Sequence, residues 1–570
     1  MTGDQRDSVI KKLAYIGISC SFNDEDSLSV SFKIDNERYH LNVSLDEYFP
    51  DSFPLVQILE EDYAKINKPL PHIYGNHYIC VFDKTTSIPD GNNPIDLIVT
   101  TISSARNILK SGIKETNKKD FIDEIASYWN LDENHCSKAI IHSFVSHLQN
   151  AHHISIFHEM LRSQREKFIV ADSDGAMQVI LSNLNSVNGG NCLGENSALI
   201  EGIYVPLTAA LYPPFPETNW EWYQLIQSLV KDNVIYKKFV SKHIKDGSYI
   251  MLSIPLSNQR YFLFMIKHAP TLPSVKNGFR EGHFPAKLAF RLEKPKRKVT
   301  KYNVVDLRHS RIFKRGGMGG KIDGMNNIGV IGVGSLGSYI AKGLSEYGTT
   351  KITLVDDDAI TSENIARHLC GYSYLYQPKV EAVKHELLCH DLSLKILDYY
   401  MSGEKYLHDH LADVNQMEYL FIAAADWRLD KLIYNLKRKG KLKIPVVVCW
   451  VEPYCLACNV LIIQESQDVK KVLFDKNLRF KYRVIKNAES QFRREAGCQS
   501  TFIPYSAYEL RRFIYTFLHY FVVNFVRMKK EGNYSYTWCG ELSKAESLGC
   551  KLTPIYKDVK DYSECIKRFD

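Results

Sequence analysis

The stretch IGVIGVGSLGSYIAKGL, residues 328–344, decides the fold of the C-terminal half of the chain. It joins an apolar, strand-like run to a helix-like run through Gly332, Gly334 and Gly337. In such a turn the first glycine permits a tight bend, the second lets backbone approach a phosphate, and the third lets helix and strand pack closely. A second apolar run then delivers Asp356 at the distance where a carboxylate meets a ribose hydroxyl. The pattern predicts a nucleotide-binding turn, and it fits a nicotinamide dinucleotide and ATP equally well.

The residues after this second strand favour ATP. The segments DDDAITSENIARHL (356–369) and QPKVEAVKHELL (377–388) supply Asn364, Arg367 and Lys379 beside the glycine turn. A nicotinamide site needs no such cations. A triphosphate under attack does, because charge builds on its oxygens and fixed arginine and lysine side chains stabilise that charge.

The ordered set of motifs resembles the ThiF/MoeB-like adenylation domain of ubiquitin-activating enzymes. The family pattern G-x-G-x-x-G, D-x-D, S-N-x-x-R-Q, Q-P-K is matched by Gly332/Gly334/Gly337, Asp356/Asp358, Asn364/Arg367 and Gln377-Pro378-Lys379. Two positions depart, since Glu363 replaces Ser and His368 replaces Gln. The resemblance implies ATP as cosubstrate, nucleotide contacts from the matched residues with Arg367 and Lys379 as catalytic cations, and Mg²⁺ held by Asp426, which follows the strand-like run YLFIAAA.

Length and composition set wide bounds. A chain of 570 residues is expected to hold about three or four domains. The net charge of +7 arises from 72 basic and 65 acidic residues, so the excess is thinly spread and argues only weakly for a nucleic-acid partner.

Neither a membrane span nor a disulfide framework is expected. The N-terminal MTGDQRDSVIKK lacks an apolar signal core, and the longest apolar run, Phe513 to Val526, is interrupted by His519 and Asn524, which suits a buried helix. The 13 cysteines follow no framework spacing. Free thiols in a reducing cytoplasm are the natural interpretation.

The N-terminal region reads as an antiparallel meander followed by a helix. Residues 28–34 and 39–45 alternate strictly between apolar and polar residues, which predicts a hairpin with one buried face. The run LVQIL predicts a third strand. A helix is expected from Pro94, with Asn93 as its cap, to Gly112.

This order, with a cysteine-bearing loop between sheet and helix, resembles a ubiquitin-conjugating domain. The run Pro71-His72-Ile73, then Gly75, then Ile79-Cys80 is similar to the family's H-P-N … G-x-I-C-L segment. The resemblance implies that Cys80 carries an acyl group as a thioester. The family's oxyanion-stabilising Asn is missing, since Ile73 follows His72; either a backbone N–H or Asn76 replaces it, or transfer is slower. Alone, Cys80 also fits a small core residue.

We therefore expect an α/β chain of three parts. Residues 1–130 form a conjugating-like α+β domain, residues 131–300 a mixed middle or linker domain, and residues 301–570 a Rossmann-like ThiF adenylation domain.

The middle region offers no catalytic constellation. Helices are expected at Ser137 to Met160 and Trp220 to Val230, followed by a hairpin, YIMLSIPL with RYFLFMIKH. We interpret His152, His153 and His158 as solvated helix histidines rather than metal ligands. The basic run EKPKRKVTK (293–301) is interpreted as a solvated linker rather than a nucleic-acid patch.

The C-terminal half contains a cysteine pair and a lone cysteine with different expected roles. Cys455 and Cys458 form a C-x-x-C without a second zinc-type pair, so they are expected to be packing thiols. Cys498 follows Arg493 and Arg494, whose charges favour a thiolate. Its surroundings, GCQST … PYSA, resemble the acceptor loop of a bacterial fusion of activating and conjugating domains.

The resemblance at both ends implies a ubiquitin-transferase-like enzyme of bacterial cyclic-oligonucleotide anti-phage operons. Such an enzyme adenylates the C-terminus of a cGAS-like nucleotidyltransferase, moves the acyl group to Cys498 and then to Cys80, and conjugates it to target amines. The resemblance also implies a homodimer in which an arginine, Arg311 or Arg315, reaches the partner's ATP.

Two other functions fit the sequence. One is a sulfur-carrier or peptide adenylyltransferase whose N-terminal domain only docks substrate, and a reducible adduct on Cys80 would argue against it. The other is a non-catalytic nucleotide-sensing scaffold, which carrier-dependent exchange of pyrophosphate into ATP would exclude.

Overall fold

The computed structural model describes residues 1–83, 85–130, 137–161, 165–189, 197–230, 233–256, 261–271, 285–293, 297–315, 325–494 and 501–569. The side chains of residues 130, 314 and 315 are outside the description. The chain forms two compact units, the first made of Met1–Met177 with Glu195–Asp306 and the second of Gln178–Gly194 with Leu307–Asp570.

The first unit begins with an antiparallel sheet and its helices. The strands are β1 (Ser19–Phe22), β2 (Ser27–Ile34), β3 (Glu37–Ser44), β4 (Leu55–Ile58), β5 (Ile73–Tyr74) and β6 (Tyr78–Ile79), in the order β1-β2-β3-β4-β6-β5. The helices are α1 (Gly3–Tyr15), α2 (Glu60–Ile66), α3 (Pro94–Ile113), α4 (Asp120–Asp123) and α5 (Ile125–Asn130).

The alternation in β2 and β3 explains this sheet. Leu28, Val30 and Phe32 point to one face and are buried, where they share a core with apolar residues of α3. The predicted hairpin and helix are confirmed. Asn93, however, makes no capping hydrogen bond to the helix, and Pro94 begins it with a fixed φ instead.

The rest of the first unit is a closed barrel in the order β10-β11-β12-β13-β7-β9-β8. Its strands are β7 (Ile140–Ser143), β8 (His152–Met160), β9 (Glu166–Ala171), β10 (Ser197–Pro206), β11 (Ser248–Pro255), β12 (Tyr261–His268) and β13 (Thr300–Asp306). The helices here are α6 (Asp174–Asn188), α7 (Asn219–Leu229), α8 (Val234–Lys242) and α9 (Ala286–Leu292). The predicted helix near Trp220 and the hairpin formed by β11 and β12 are confirmed.

The predicted helix at Ser137 to Met160 is wrong, because this segment contains β7 and β8. Four consecutive residues of β8, from Ile154 to Phe157, are buried. Both faces of the strand are therefore covered, and the alternation that marks a half-buried strand is missing.

The histidines of this segment are correspondingly strand residues, not helix residues. Each pairs with a carboxylate on a neighbouring strand or loop, and the pairs are His152–Asp172 at 3.2 Å, His153–Glu201 at 2.8 Å and His158–Glu166 at 3.4 Å. In the part of the chain that the structure describes, none of these histidines belongs to a cluster of three metal-ligating side chains.

The basic run at 293–301 is only partly accounted for by a solvated linker. Residues 294–296 are outside the described residues. Val299 and Lys301 are buried, and β13 begins at Thr300 and completes the barrel between β12 and β7. The division of the chain at residues 130 and 300 remains a prediction.

The second unit is built on an eight-stranded sheet. Its strands are β14 (Asn327–Ile331), β15 (Lys351–Asp356), β16 (Lys395–Tyr400), β17 (Tyr419–Ile422), β18 (Val446–Val451) and β19 (Ala457–Ile463), then β22 (Tyr534–Cys539) and β23 (Glu564–Arg568), while β20 (Arg493–Arg494) and β21 (Thr501–Phe502) pair separately. The order is β16-β15-β14-β17-β18-β19-β22-β23, parallel up to β18 and antiparallel beyond it.

Helices cover the sheet of the second unit. They are α10 (His309–Arg315), α11 (Ser335–Glu346), α12 (Lys379–Leu388), α13 (Gly403–Asp409), α14 (Leu411–Val414), α15 (Trp427–Arg438), α16 (Val469–Leu473) and α17 (Ala507–Phe521). The apolar run at Phe513 lies in α17 and a following π-helical turn and is buried, as predicted. Among the described residues, no helix combines the length and apolar character needed to cross a bilayer. From Gln178 onward α6 belongs to this unit, where the Asn183 amide donates to the carbonyls of Leu392 and Leu394.

Candidate active site

The glycine turn lies between β14 and α11, and two of its three glycines have a steric reason in the structure. Gly332 has φ +85°, and a Cβ there would collide with the backbone of Ala424. A Cβ on Gly337 would collide with the carbonyl of Gly332, so the third glycine lets α11 start close to the strand. A Cβ on Gly334 would meet no described atom within 4 Å. The space in front of Gly334 is therefore open to a ligand.

A cavity of about 300 Å³ opens at this turn. Parallel strands end at one edge of the sheet, so the residues that follow β14, β15, β16 and β17 meet there. The cavity is lined by Ile331, Gly332, Gly334, Val355, Asp356, Asp357, Asp358, Lys379, Ser402, Gly403, Glu404, Ala423, Ala424, Asp426, Arg428 and Leu429. The predicted glycine turn, Asp356, Lys379 and Asp426 are thus brought together.

Asp356 ends β15 and is fixed by backbone donors. It accepts hydrogen bonds from the N–H groups of Val333, at 2.6 Å, and Asp358, at 2.9 Å. Burial raises the pKa of Asp356, and the nearby Lys379 opposes that effect. The Lys379 Nζ lies 2.6 Å from the Asp358 carboxylate and 3.9 Å from that of Asp356. A cation is therefore held at the cavity wall, beside the glycine turn.

Asp426 follows β17 and caps α15. Its carboxylate accepts from the N–H of Arg428 at 2.8 Å and pairs with the Arg428 guanidinium at 2.8 Å. The hydrogen bond from the Arg428 side chain is the main cause that lowers the pKa of Asp426, so this carboxylate is ionised. The carboxylates of Asp356, Asp357 and Asp358, whose oxygens lie within 4.8 Å of one another, line the same cavity. Carboxylate oxygens are the ligands that Mg²⁺ prefers.

Two predicted site residues lie apart from this group. The Asn364 side chain accepts from the N–H and hydroxyl of Thr361, and the Arg367 guanidinium stacks on Tyr505 at 4.6 Å. Neither residue is among those that line the described cavity. Their assignment as nucleotide contacts stays a prediction.

The sequence interpretation missed one wall of the cavity. Ser402 caps α13 by accepting from the N–H of Lys405, and Ser402, Gly403 and Glu404 line the cavity. The signal was a serine followed by helix-forming residues directly after the strand-like run at β16.

Cys80 lies directly after β6 and is exposed. Its N–H donates to the His72 carbonyl at 2.7 Å, which ties the cysteine to the segment before β5. The intervening loop is strained, because His72, Asn76 and His77 have φ values of 64°, 55° and 61°. Non-glycine residues in this region cost free energy and cluster at functional sites. An exposed thiol next to a loop of fixed conformation suits a nucleophile better than a core residue.

His72 is held between two carboxylates. Its Nε2 lies 3.1 Å from Asp120 and its Nδ1 lies 2.7 Å from Glu124. The hydrogen bond to Glu124 is the main cause that raises the pKa of His72. Glu124 also accepts a hydrogen bond of 3.3 Å from the Tyr128 hydroxyl. A network of acidic and basic groups thus surrounds the base of the Cys80 loop.

Of the other cysteines named in the sequence analysis, Cys455 and Cys458 are among the described residues. Cys498 is outside the described residues, although β20 and β21 on either side of it pair antiparallel. Cys455 and Cys458 are buried in the core of the second unit, which confirms their interpretation as packing thiols. Arg311 lies on α10, and the side chain of Arg315 is outside the described residues.

Two family models match the segments of the chain in which these residues lie. Residues 320–444, which hold the glycine turn, Asp356, Lys379 and Asp426, match the model of the ThiF family. Residues 21–137, which hold Cys80, His72 and Glu124, match the model of prokaryotic E2 family B.

Similar individual proteins cover parts of the chain. The ATP-dependent ubiquitin transferase-like protein Cap2 of Pseudomonas aeruginosa is 25% identical over 217 residues, which are 37% of this chain and 38% of that relative. Crystal structures of selenomethionine PaaA and of E. coli MccB with MccA-N7isoASN align at TM-scores of 0.29 and 0.30, with 15% and 14% identity. They cover 43% of this chain and 64% and 65% of their own chains. The chain therefore joins a segment of the prokaryotic E2 family B type to a segment of the ThiF type in one polypeptide.

Proposed function

We propose that this chain activates the C-terminal carboxylate of a partner protein with ATP and conjugates it to amines of target proteins. The observation that carries the proposal is one cavity that unites the glycine turn, Asp356, Lys379 and Asp426, in the same chain as the exposed Cys80. A nucleotide site alone fits many enzymes; a nucleotide site joined to an E2-like nucleophile fits carboxylate activation followed by acyl transfer.

The proposed chemistry proceeds through three acyl intermediates. A carboxylate oxygen of the partner attacks the α-phosphorus of ATP, which forms an acyl-adenylate and releases pyrophosphate. The thiolate of Cys498 attacks the acyl carbon and expels AMP, and the thiolate of Cys80 then displaces Cys498. A target amine attacks the Cys80 thioester, loses a proton and releases the thiolate. The order follows from reactivity, because a thioester keeps the activation that AMP conferred.

The residues at the cavity suit this first step. Lys379 offers a fixed cation to the polyphosphate, and Asp356 offers an acceptor to the ribose. Asp426, with the carboxylates of Asp356, Asp357 and Asp358, would hold Mg²⁺. Bound there, Mg²⁺ supplies neutralisation of charge on the departing pyrophosphate. The ionised state of Asp426 and the oxygen-rich wall fit such a cation.

The identity of the partner protein is a separate proposal from the chemistry of activation. A relative described as an ATP-dependent ubiquitin transferase-like protein supports a protein substrate. We propose that the activated C-terminus is that of a cGAS-like nucleotidyltransferase, that the enzyme acts in bacterial anti-phage defence in the cytoplasm, and that it works as a homodimer in which Arg311 or Arg315 reaches the partner's ATP.

The test is reconstitution of the full chain with a cGAS-like protein, ATP and Mg²⁺. We expect partner-dependent exchange of labelled pyrophosphate into ATP and a partner adduct on Cys80 that thiols cleave. Exchange of pyrophosphate into ATP without an adduct on Cys80 would support the alternative function, an adenylyltransferase whose N-terminal domain only docks substrate. No exchange with any protein that ends in a free carboxylate would refute the activating function itself.

A further inference from the structure

His368 is a buried histidine that touches the glycine turn. It is 3% exposed, and its Nε2 lies 2.7 Å from the carbonyl oxygen of Val333, the residue between Gly332 and Gly334. Its Nδ1 accepts a hydrogen bond of 3.0 Å from the N–H of Cys370. The side chain therefore connects the loop that precedes α12 with the turn that faces the cavity.

These two contacts determine the state of the ring. A backbone N–H can only donate, so Nδ1 is unprotonated, and a carbonyl can only accept, so Nε2 carries the hydrogen. The neutral imidazole satisfies both partners. A second proton on Nδ1 would face the N–H of Cys370, a donor against a donor in a buried place, where an unmade hydrogen bond is costly.

Val333 is consequently held from both sides. Its N–H donates to Asp356 at 2.6 Å and its carbonyl accepts from His368. Asp356 thus holds the peptide before Val333, and His368 holds the peptide after it. Without His368 the Val333 carbonyl has lost its described partner, and the peptide between Val333 and Gly334 is free to rotate.

We propose that His368 is a positioning residue that holds the phosphate turn in its binding geometry only while its ring is neutral, so that ATP binding weakens when the ring is protonated. The proposal rests on the proposed function, since it presumes that ATP binds at this turn.

The charged surroundings agree with a neutral ring. Burial is the main cause that lowers the pKa of His368, and Lys379 lowers it further. Cys370 lies beside the ring with a pKa raised by burial, so its thiol is neutral. Asp356 reaches the ring only through the Val333 peptide. Lys379 therefore opposes a second cation here, and protonation is expected only below the ordinary histidine range, which lies near pH 6.5.

The variant His368→Gln provides a sharp test. A glutamine amide also offers one donor and one acceptor but does not titrate in this range. We expect His368→Gln to bind ATP like the wild-type chain at pH 8, and His368→Leu to bind about tenfold more weakly or worse, because it leaves the Val333 carbonyl and the Cys370 N–H without partners.

The measurement is calorimetric titration of the full chain with ATP and Mg²⁺, without partner protein, from pH 8 to pH 5. The ratio of wild-type to His368→Gln affinity is expected to stay constant down to about pH 6.5 and then to fall. Both proteins bind the same ATP and contain Asp356, so the effects of protonating ATP or Asp356 cancel in this ratio. Exposed His390, also in the second unit, supplies the control His390→Gln, whose ratio should stay flat.

Each outcome bears on one proposal. If His368→Leu is folded by thermal unfolding and binds ATP like the wild type, or if the ratio to His368→Gln is flat, the positioning role is refuted. If His368→Leu does not fold, the pH dependence of His368→Gln still decides. If the wild-type chain binds no ATP at any pH, the proposed function fails, whatever the variants do.

Discussion

At the scale of single residues, Asp426 is the carboxylate whose loss is most informative. It is ionised, it lines the cavity, and it caps α15. Asp426→Ala removes a proposed magnesium ligand, so adenylation is expected to fall by about 100-fold or more. Pyrophosphate exchange measures this directly. The control is Asp409→Ala, an exposed carboxylate of α13, which should leave exchange unchanged. Normal exchange in Asp426→Ala would remove Asp426 from the site.

His72 predicts a pH dependence of the opposite sign to that of His368. Its pKa is raised in the folded chain, chiefly by Glu124, so the native state binds more protons than the unfolded state. The stabilisation is complete below the unfolded value, near pH 6.5, and disappears as pH rises through the folded pKa. We expect the urea midpoint of the wild type to exceed that of His72→Gln at pH 6 and to approach it at pH 9. A difference that does not change with pH would contradict this.

At the scale of elements, α5 connects the surroundings of Cys80 to the barrel. Glu124, which holds His72, directly precedes α5, and Trp129 on the same helix is buried among barrel residues. The Trp129 indole N–H donates to the Tyr302 carbonyl at 3.3 Å, and its ring lies 4.4 Å from that of Phe264. The helix thus fixes one end of the network that surrounds Cys80.

Trp129→Ala is therefore expected to lower the free energy of unfolding by roughly 3–5 kcal/mol and to slow the discharge of Cys80. Trp220→Ala, at a half-buried tryptophan of α7, should cost less and leave discharge intact. Denaturant titration and thioester discharge measure the two effects. Equal discharge rates for both variants would show that α5 does not influence the discharge of Cys80.

The elements that the sequence predicted well are those with a clear period or motif. The alternation at Leu28, Val30 and Phe32 predicted its hairpin, and the glycine spacing predicted the turn at Gly332. The segment at Ile154 was mistaken for a helix because β8 is buried on both faces and has no alternation. Motif matching also assigned Asn364 to the nucleotide, and that assignment stays a prediction. The structure adds that the Asn364 side chain accepts a hydrogen bond from the N–H of Thr361, a partner that spacing in the sequence does not encode.

At the scale of the whole molecule, the two thiols are expected to act in order. Acyl-adenylate would form in the ThiF-type segment, whose neighbour in sequence is Cys498, and Cys80 lies in the other unit. Cys80→Ala should still load partner on Cys498 as a thiol-sensitive adduct but should not modify targets. Cys498→Ala should adenylate the partner yet load neither cysteine.

Non-reducing gels with labelled partner distinguish these states. The serine variants sharpen the comparison, because an oxyester survives thiol treatment that cleaves a thioester. Loading of Cys80 at the wild-type rate in Cys498→Ala would show direct transfer from the adenylate and would return Cys498 to a structural role.

The division of α6 between the two units affects how the chain is made. Its first turn belongs to the first unit, but Asn183 bonds to Leu392, a residue 209 positions later. At the usual rates of translation, the ribosome needs roughly 10–40 s to cover that distance. During that time Val187, which packs into the core of the second unit, has no surface to cover it. The second unit therefore contains two segments that are synthesised at separate times. Residues 307–570 expressed alone would lack part of the core of that unit.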